Sequence, residues 1–378
     1  MTIADHDPRS ATDRTMEQAR RHQAGAAPAL PVVVATAEGA WVTDIEGRRY
    51  LDLSSSTGAL TFGHRHPALV AVAADQLTRS TVTSAAVHDD RRAEFAAALA
   101  ELAGGELVLP VTTSDEAIGV ALAAASRGGS AAGGPASVVV AAGSHERLVA
   151  AGARTVPFGD GGALTDAVDS TTTAVVLEPV GAGVIAAPAG YLAAARELCT
   201  ERGATLIIDE TRSGLGRSGA TFAMGPSDGV PDIRVLGPAL GGGIVPSAAV
   251  VGTRKLLGDV AVAASGSVLA AAIGRRVVEL LGTGEIQARA AALAEHLRGR
   301  LAALPGSGVA AVRTAGVQAG IDIEPAAGGA ADVARRLVAR GVLVEVAGPE
   351  TIVLAPPLVI RATELDWAIE QLRVVLAN

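Results

Sequence analysis

The sequence predicts an α/β protein: a large domain built on a mostly parallel sheet with helices on both faces, joined to a smaller α+β domain. Three observations carry that prediction. Short β-branched runs alternate with Ala-rich stretches through the middle of the chain, as strands buried on both faces and linked by crossover helices do. After about Val260 the order changes to helices followed by short strands. The chain has 378 residues, 49% apolar and 19% charged, enough for two domains with a substantial shared core.

Taken in order, residues 1–25 are polar and mixed in charge and read as a loosely attached tail. Residues 26–55 form a separate segment ahead of the large domain. There, alternating apolar residues in Trp41-Val42-Thr43-Asp44 and Arg49-Tyr50-Leu51-Asp52-Leu53 flank a turn at Gly47 and predict a β-hairpin. The large domain, residues 56–260, has candidate strands at Ser137–Ala141, Ala174–Leu177, Ala204–Ile208, Ile233–Leu236 and Ala248–Val251. Its best helix is Leu192–Arg202, with Leu192, Ala195 and Cys199 on one face. Gly128–Pro135 reads as a surface loop. Residues 261–378 form the C-terminal small domain and close with a helix capped by Thr363, with Asp366 three residues on and an apolar stripe of Leu365, Ile369, Leu372 and Leu376.

Composition narrows the function. A net charge of −8 gives no electrostatic footprint for nucleic acid, and no basic run suggests an anionic membrane. No apolar run is long enough to span a bilayer, and the N-terminus has no apolar core of a secretory signal. A cytoplasmic protein with small-molecule partners follows by elimination. Cys199 is the single cysteine, placed on a helix and expected to be buried rather than nucleophilic. Of the 31 basic residues only Lys255 is a lysine.

Sites in such sheets collect at the carboxyl ends of the strands, and Asp209 directly follows Ile208. Three segments carry a resemblance: Gly63-His64-Arg65-His66-Pro67, the run Leu206-Ile207-Ile208-Asp209-Glu210-Thr211-Arg212-Ser213-Gly214-Leu215-Gly216-Arg217-Ser218-Gly219, and Val235-Leu236-Gly237-Pro238-Ala239-Leu240-Gly241-Gly242-Gly243. The chain resembles the class III aminotransferases, the ornithine/acetylornithine branch of the fold type I pyridoxal-phosphate enzymes, over roughly residues 30–378. The resemblance implies that fold, with residues 26–55 as the N-terminal part of the small domain that residues 261–378 complete. It also implies that Asp209 pairs with the protonated pyridine nitrogen and sets up the ring as an electron sink.

Other positions depart from the family's pattern. Pro238 stands where L-G-K-x-L-G-G-G carries the Schiff-base lysine, and a proline side chain has no primary amine. Thr211 and Arg212 replace the apolar residue under the ring and the Gln that bonds its hydroxyl. At the phosphate turn, S-G-A/T-E-A in the family, Ser114-Asp115-Glu116 puts an aspartate beside a phosphate dianion, a cost on the order of several kcal/mol in a dry pocket. Ser144 takes the place of the stacking aromatic of F-H-G-R, and Glu146 that of its glycine. The T-F-G-G-N-P segment is matched loosely around Ala263–Ser267, and Val353 replaces the carboxylate-gripping arginine of R-x-A-P-P-L.

These departures set the functional expectation: a chain that has lost pyridoxal-phosphate-dependent transamination and needs no cofactor. It would be a pseudoenzyme for transamination, repurposed in secondary metabolism for acid/base chemistry (dehydration, isomerisation or cyclisation) on a small carbonyl-bearing metabolite. Asp209, His145, Glu146 and Arg212 are its candidate catalytic groups. A non-catalytic partner subunit of an active relative is the alternative, and an active transaminase the third reading. A homodimer is expected, or a heterodimer with such a relative. The plainer assignments stand beside these: Asp209 as a strand-end carboxylate, His145 as a loop histidine, Glu146 paired with Arg212, Lys255 solvated, and His64 and His66 structural, with no metal.

Overall fold

The N-terminal hairpin forms where strand alternation meets a turn at Gly47, whose φ of 82° suits glycine alone among common residues. In this computed structural model, which describes residues 10–25, 30–84, 86–128, 137–260, 266–304, 306 and 308–377, β1 (Val34–Glu38), β2 (Trp41–Asp44) and β3 (Arg49–Asp52) pair antiparallel. The Asp44 carboxylate fixes the turn by accepting from the Glu46 and Arg48 amides and the Tyr50 hydroxyl. Before the hairpin, residues read as tail form a helix, Ala11–His22, started by a reciprocal cap between Ser10 and Asp13. Glu46 accepts from the Thr12 amide and hydroxyl at 3.1 and 3.3 Å and ties the helix to the hairpin. A polar helix carries little periodic signal; its start is written in the cap instead.

The large sheet comprises β4 (Leu107–Val111), β5 (Ser137–Ala141), β6 (Arg154–Val156) and β7 (Thr172–Leu177) and, after a short hairpin of β8 (Val180–Gly181) and β9 (Ile185–Ala186), β10 (Thr205–Asp209), β11 (Ile233–Leu236) and β12 (Ala248–Gly252). Its order is β4-β12-β11-β10-β7-β5-β6, with β12 antiparallel to both neighbours and the other pairings parallel. Every residue of β7, β10, β11 and β12 is buried, so these strands read as continuous apolar runs. Side chains alternate between two covering layers. Leu206 and Ile208 pack with Leu192, Ala195 and Cys199 of helix Tyr191–Arg202, while Ile207, Val235 and Val250 pack with Ala117, Ala121 and Ala124 of helix Ser114–Gly128. Burial pushes the Cys199 thiol up to about 12, which leaves it inert.

In the small domain β13 (Val309–Ala315) and β14 (Gln318–Ile323) join the later strands in the order β13-β14-β17-β16. Between them β15 (Val342–Leu343) pairs in parallel with β3, and β16 (Glu345–Ala347) and β17 (Thr351–Leu354) complete the sheet. The chain's two ends share one core: Leu51 and Leu53 pack with Leu293, Leu297, Ile321, Leu365, Ile369 and Leu372. The closing helix is Ala362–Leu376, capped by Arg361 with Glu364 rather than by Thr363. Asp366 turns to His296 and Arg300 instead of capping. The predicted loop at Gly128–Pro135 lies mostly outside the described residues, as does most of Ala263–Ser267. Among the described residues no helix is long and apolar enough to cross a membrane.

Candidate active site

The carboxyl ends of β7 and β10 lie side by side, with Leu177 paired to Ile208. The next residue on each is acidic. Glu178 and Asp209 are therefore delivered as neighbours, 7% and 6% exposed, to a cavity of about 680 Å³ whose wall includes Ser114, His145, Thr211 and Arg212. His145 follows β5 on a left-handed residue, φ 51°, and this sparsely populated conformation aims its ring at the cavity. Its Nε2 lies 3.6 Å from Asp209 Oδ2. The ligand-type atoms of His145, Glu178 and Asp209 all fall within 4.8 Å of one another.

Two buried carboxyls this close disfavour double ionisation. Burial, reinforced by the Asp209 charge and opposed by Arg212, pushes the Glu178 carboxyl up to about 8. Burial likewise raises Asp209, against the pull of His145 and the Thr211 amide, which donates to Asp209 Oδ1 at 2.8 Å. Glu210 points to the other side of the strand, where it contacts Arg234 and accepts from the Ala223 amide. Burial raises it to about 7.

The remaining predicted residues separate into those brought to the pocket and those turned from it. Ser114 and Asp115 open helix Ser114–Gly128 at the rim, but the Asp115 side chain is 69% exposed and receives Arg147 Nη1 at 2.6 Å. Glu146 is exposed. The expected Glu146–Arg212 pair does not form; Arg212 Nη2 reaches Glu345 Oε1 of β16 at 3.7 Å, an ion pair from the large sheet to the small domain. Ser144 is buried, its hydroxyl donating to the Ala141 carbonyl. His64 pairs with Asp52 at 3.0 Å and holds the loop that follows the hairpin. Glu178 was not singled out from the sequence. Its signal was an acidic residue directly after an apolar strand and directly before Pro179.

Pro238 begins the short 3-10 turn after β11, at the same end of the sheet as Asp209. The backbone there packs hard on Thr211: a Cβ on Gly237 would lie 2.5 Å from the Thr211 Cβ. Lys255 sits elsewhere. It is exposed on the turn of helix after β12, and β12 runs antiparallel, with Gly252 opposite Ile233 at the start of β11. The chain's one lysine thus follows β12 at the end of the strands away from Asp209.

The sequence model of the family Aminotransferase class-III matches residues 22–150 and 161–376. The ornithine aminotransferase of Bacillus subtilis is 33% identical, covering 92% of this chain and 94% of that protein. The ornithine aminotransferase of Bordetella pertussis is 37% identical, with 92% of each covered. Among solved structures, ornithine delta-aminotransferase of Plasmodium falciparum superposes with a TM-score of 0.88 at 26% identity, covering 97% of this chain and 98% of that one. An ornithine aminotransferase from Toxoplasma gondii, also at 0.88 and 26% and covering 97% of this chain and 94% of that one, is described with pyridoxal phosphate at partial occupancy in its active site.

These likenesses correct the functional expectation. Relatives along nearly the whole chain are named for amino-group transfer, so a pseudoenzyme working without pyridoxal phosphate by dehydration, isomerisation or cyclisation is not supported, nor is a non-catalytic partner subunit. The expected absence of a cofactor is overturned with it. The physical reason lies in the charges that had suggested a new reaction: Asp115 is neutralised by Arg147 in solvent, Arg212 is paired with Glu345, and Glu146 faces water. Charges paired or hydrated in this way cost little and do not by themselves require a new reaction. In fold and in sequence along nearly its whole length, the chain belongs to the class III aminotransferases.

Proposed function

We propose that the chain transfers the amino group of a small amine-bearing amino acid such as ornithine to a 2-oxo acid, with pyridoxal phosphate seated at the Asp209 pocket. The observation that carries this reading is the buried Asp209 carboxylate at a strand end, backed by His145 and open to a cavity of about 680 Å³. A buried anion is costly unless a cationic partner faces it, and a protonated pyridine nitrogen is such a partner. The helix Ser114–Gly128 starts at the rim and offers its N-terminus to an anionic group, with the Asp115 carboxylate turned out to Arg147 and that of Glu116 engaged by the Thr112 amide. When bound, pyridoxal phosphate supplies an electron-withdrawing ring that stabilises negative charge next to the amine carbon.

The chain's own residues bind and move protons. Glu178, raised to about 8, is poised to take or release a proton near neutral pH. Arg212, at the cavity wall and 3.7 Å from Glu345, is the guanidinium placed to exchange that partner for a substrate carboxylate. The ring and phosphate therefore find partners, but among the described residues no lysine lies at the pocket for covalent attachment. A homodimer in the cytoplasm is part of the same proposal.

The test is to supply pyridoxal phosphate, ornithine and a series of 2-oxo acids and to quantify the new amino acid by chromatography. Turnover is expected with at least one acceptor and is expected to fall at least about 100-fold in Asp209→Asn. Absence of any amine consumption by a folded protein sinks the reading.

A further inference from the structure

We infer that this chain holds pyridoxal phosphate without a covalent bond to any of its side chains, retaining it through Asp209 and the start of helix Ser114–Gly128 as an exchangeable ligand. The inference rests on the proposed function and sharpens it. A side chain bonds an aldehyde carbon durably only through a primary amine, and Lys255 is the one lysine in 378 residues. It is exposed and follows Gly252, which lies opposite Ile233 at the amino end of β11, whereas the pocket lies at the carboxyl ends of β7 and β10. Its side chain would have to run back along the strands and past β11 to reach Asp209.

No other nucleophile takes its place. Arginine stays protonated and does not substitute, and Cys199 is buried in the layer of helix Tyr191–Arg202. Gly237 packs on Thr211, and Pro238 follows it with a closed ring. What the pocket does provide is charge and shape: one buried carboxylate backed by an imidazole 3.6 Å away, a second buried carboxyl beside it, and a helix start at the rim. These groups suit a protonated pyridine with an anionic tail and hold it by non-covalent contacts alone. Two properties follow. Occupancy depends on the free coenzyme concentration, and the bound aldehyde stays unmodified by protein.

The experiment combines equilibrium dialysis of the full chain against pyridoxal phosphate with borohydride reduction, intact mass measurement and peptide mapping. The expected result is saturable retention, no stoichiometric reduced adduct, unchanged retention in Lys255→Arg, and retention weakened at least about tenfold in Asp209→Asn. Pro238→Lys, checked for folding by circular dichroism, is expected to gain a reducible adduct at position 238. A stoichiometric adduct on Lys255 of the native chain overturns the inference while leaving the proposed function standing. Retention without amino-group transfer removes the function and leaves the inference intact, and absence of retention removes both.

Discussion

Asp209 and Glu178 share a pocket because parallel strands end in register, and the pairing has a measurable pH signature. Glu178 has a folded value near 8 against an ordinary 4.5. Between those values the folded chain keeps a proton that the unfolded chain releases, so stability present at low pH is lost as pH rises through the window. The coenzyme-free protein is predicted to lose several degrees of melting temperature from about pH 5 to about pH 8, and Glu178→Gln to flatten part of that slope, measured by calorimetry. A slope of opposite sign, or one unchanged in the variant, contradicts the placement. The sequence marked Asp209 and His145 through the motif that holds them. Glu178 was missed because its importance comes from the neighbouring strand's register, which no local pattern encodes. Asp115 and Arg212 were misjudged for the same reason: their partners, Arg147 and Glu345, lie 32 and 133 positions away in sequence, distances set only by the fold.

At the scale of elements, the buried central strands were legible because both faces are apolar, and β5 and β11 coincide with their predicted bounds. The sheet's edges were not. β4 carries Pro110, which argues against a strand, yet β4 pairs with β12 only, and an edge tolerates a residue without an amide hydrogen. The three residues of β6 at the other edge are too few for a pattern. The helix Ala11–His22 depends on its cap, so Ser10→Ala is predicted to weaken it by about 1 kcal/mol, read as faster hydrogen exchange of its first-turn amides with the global melting temperature unchanged. β14 meets the β8–β9 hairpin at Gly320, where a Cβ would lie 2.0 Å from the Gly183 carbonyl oxygen. Gly320→Ala is predicted to destabilise by about 2 kcal/mol or more, because backbone rather than a movable side chain must give way; a neutral effect on urea unfolding contradicts that packing.

Across the whole molecule, Arg217 links the parts around the site. It is fully buried and donates to the carbonyls of Pro356 and Gly58 at 3.0 and 3.4 Å, and burial lowers its guanidinium to about 10. Arg217→Met takes the guanidinium donor from the buried Pro356 carbonyl, while the Gly58 carbonyl keeps the Thr61 hydroxyl at 3.3 Å, and is predicted to cost about 1–3 kcal/mol in urea unfolding. The sheet covered by helices on both faces was readable from hydrophobic pattern, whereas the shared core of the chain's ends was implied only by the family resemblance. The reaction was not, because a few altered side chains outweighed an intact scaffold in the reading of the sequence. The proposal that this scaffold still moves amino groups is met most directly by a single-turnover experiment in which the protein, loaded with pyridoxal phosphate, is mixed with ornithine and the coenzyme's aldehyde absorption is followed. The predicted result is loss of that band in step with ornithine consumption, faster than in coenzyme alone and abolished in Asp209→Asn; a band that decays no faster than in the protein-free control contradicts it.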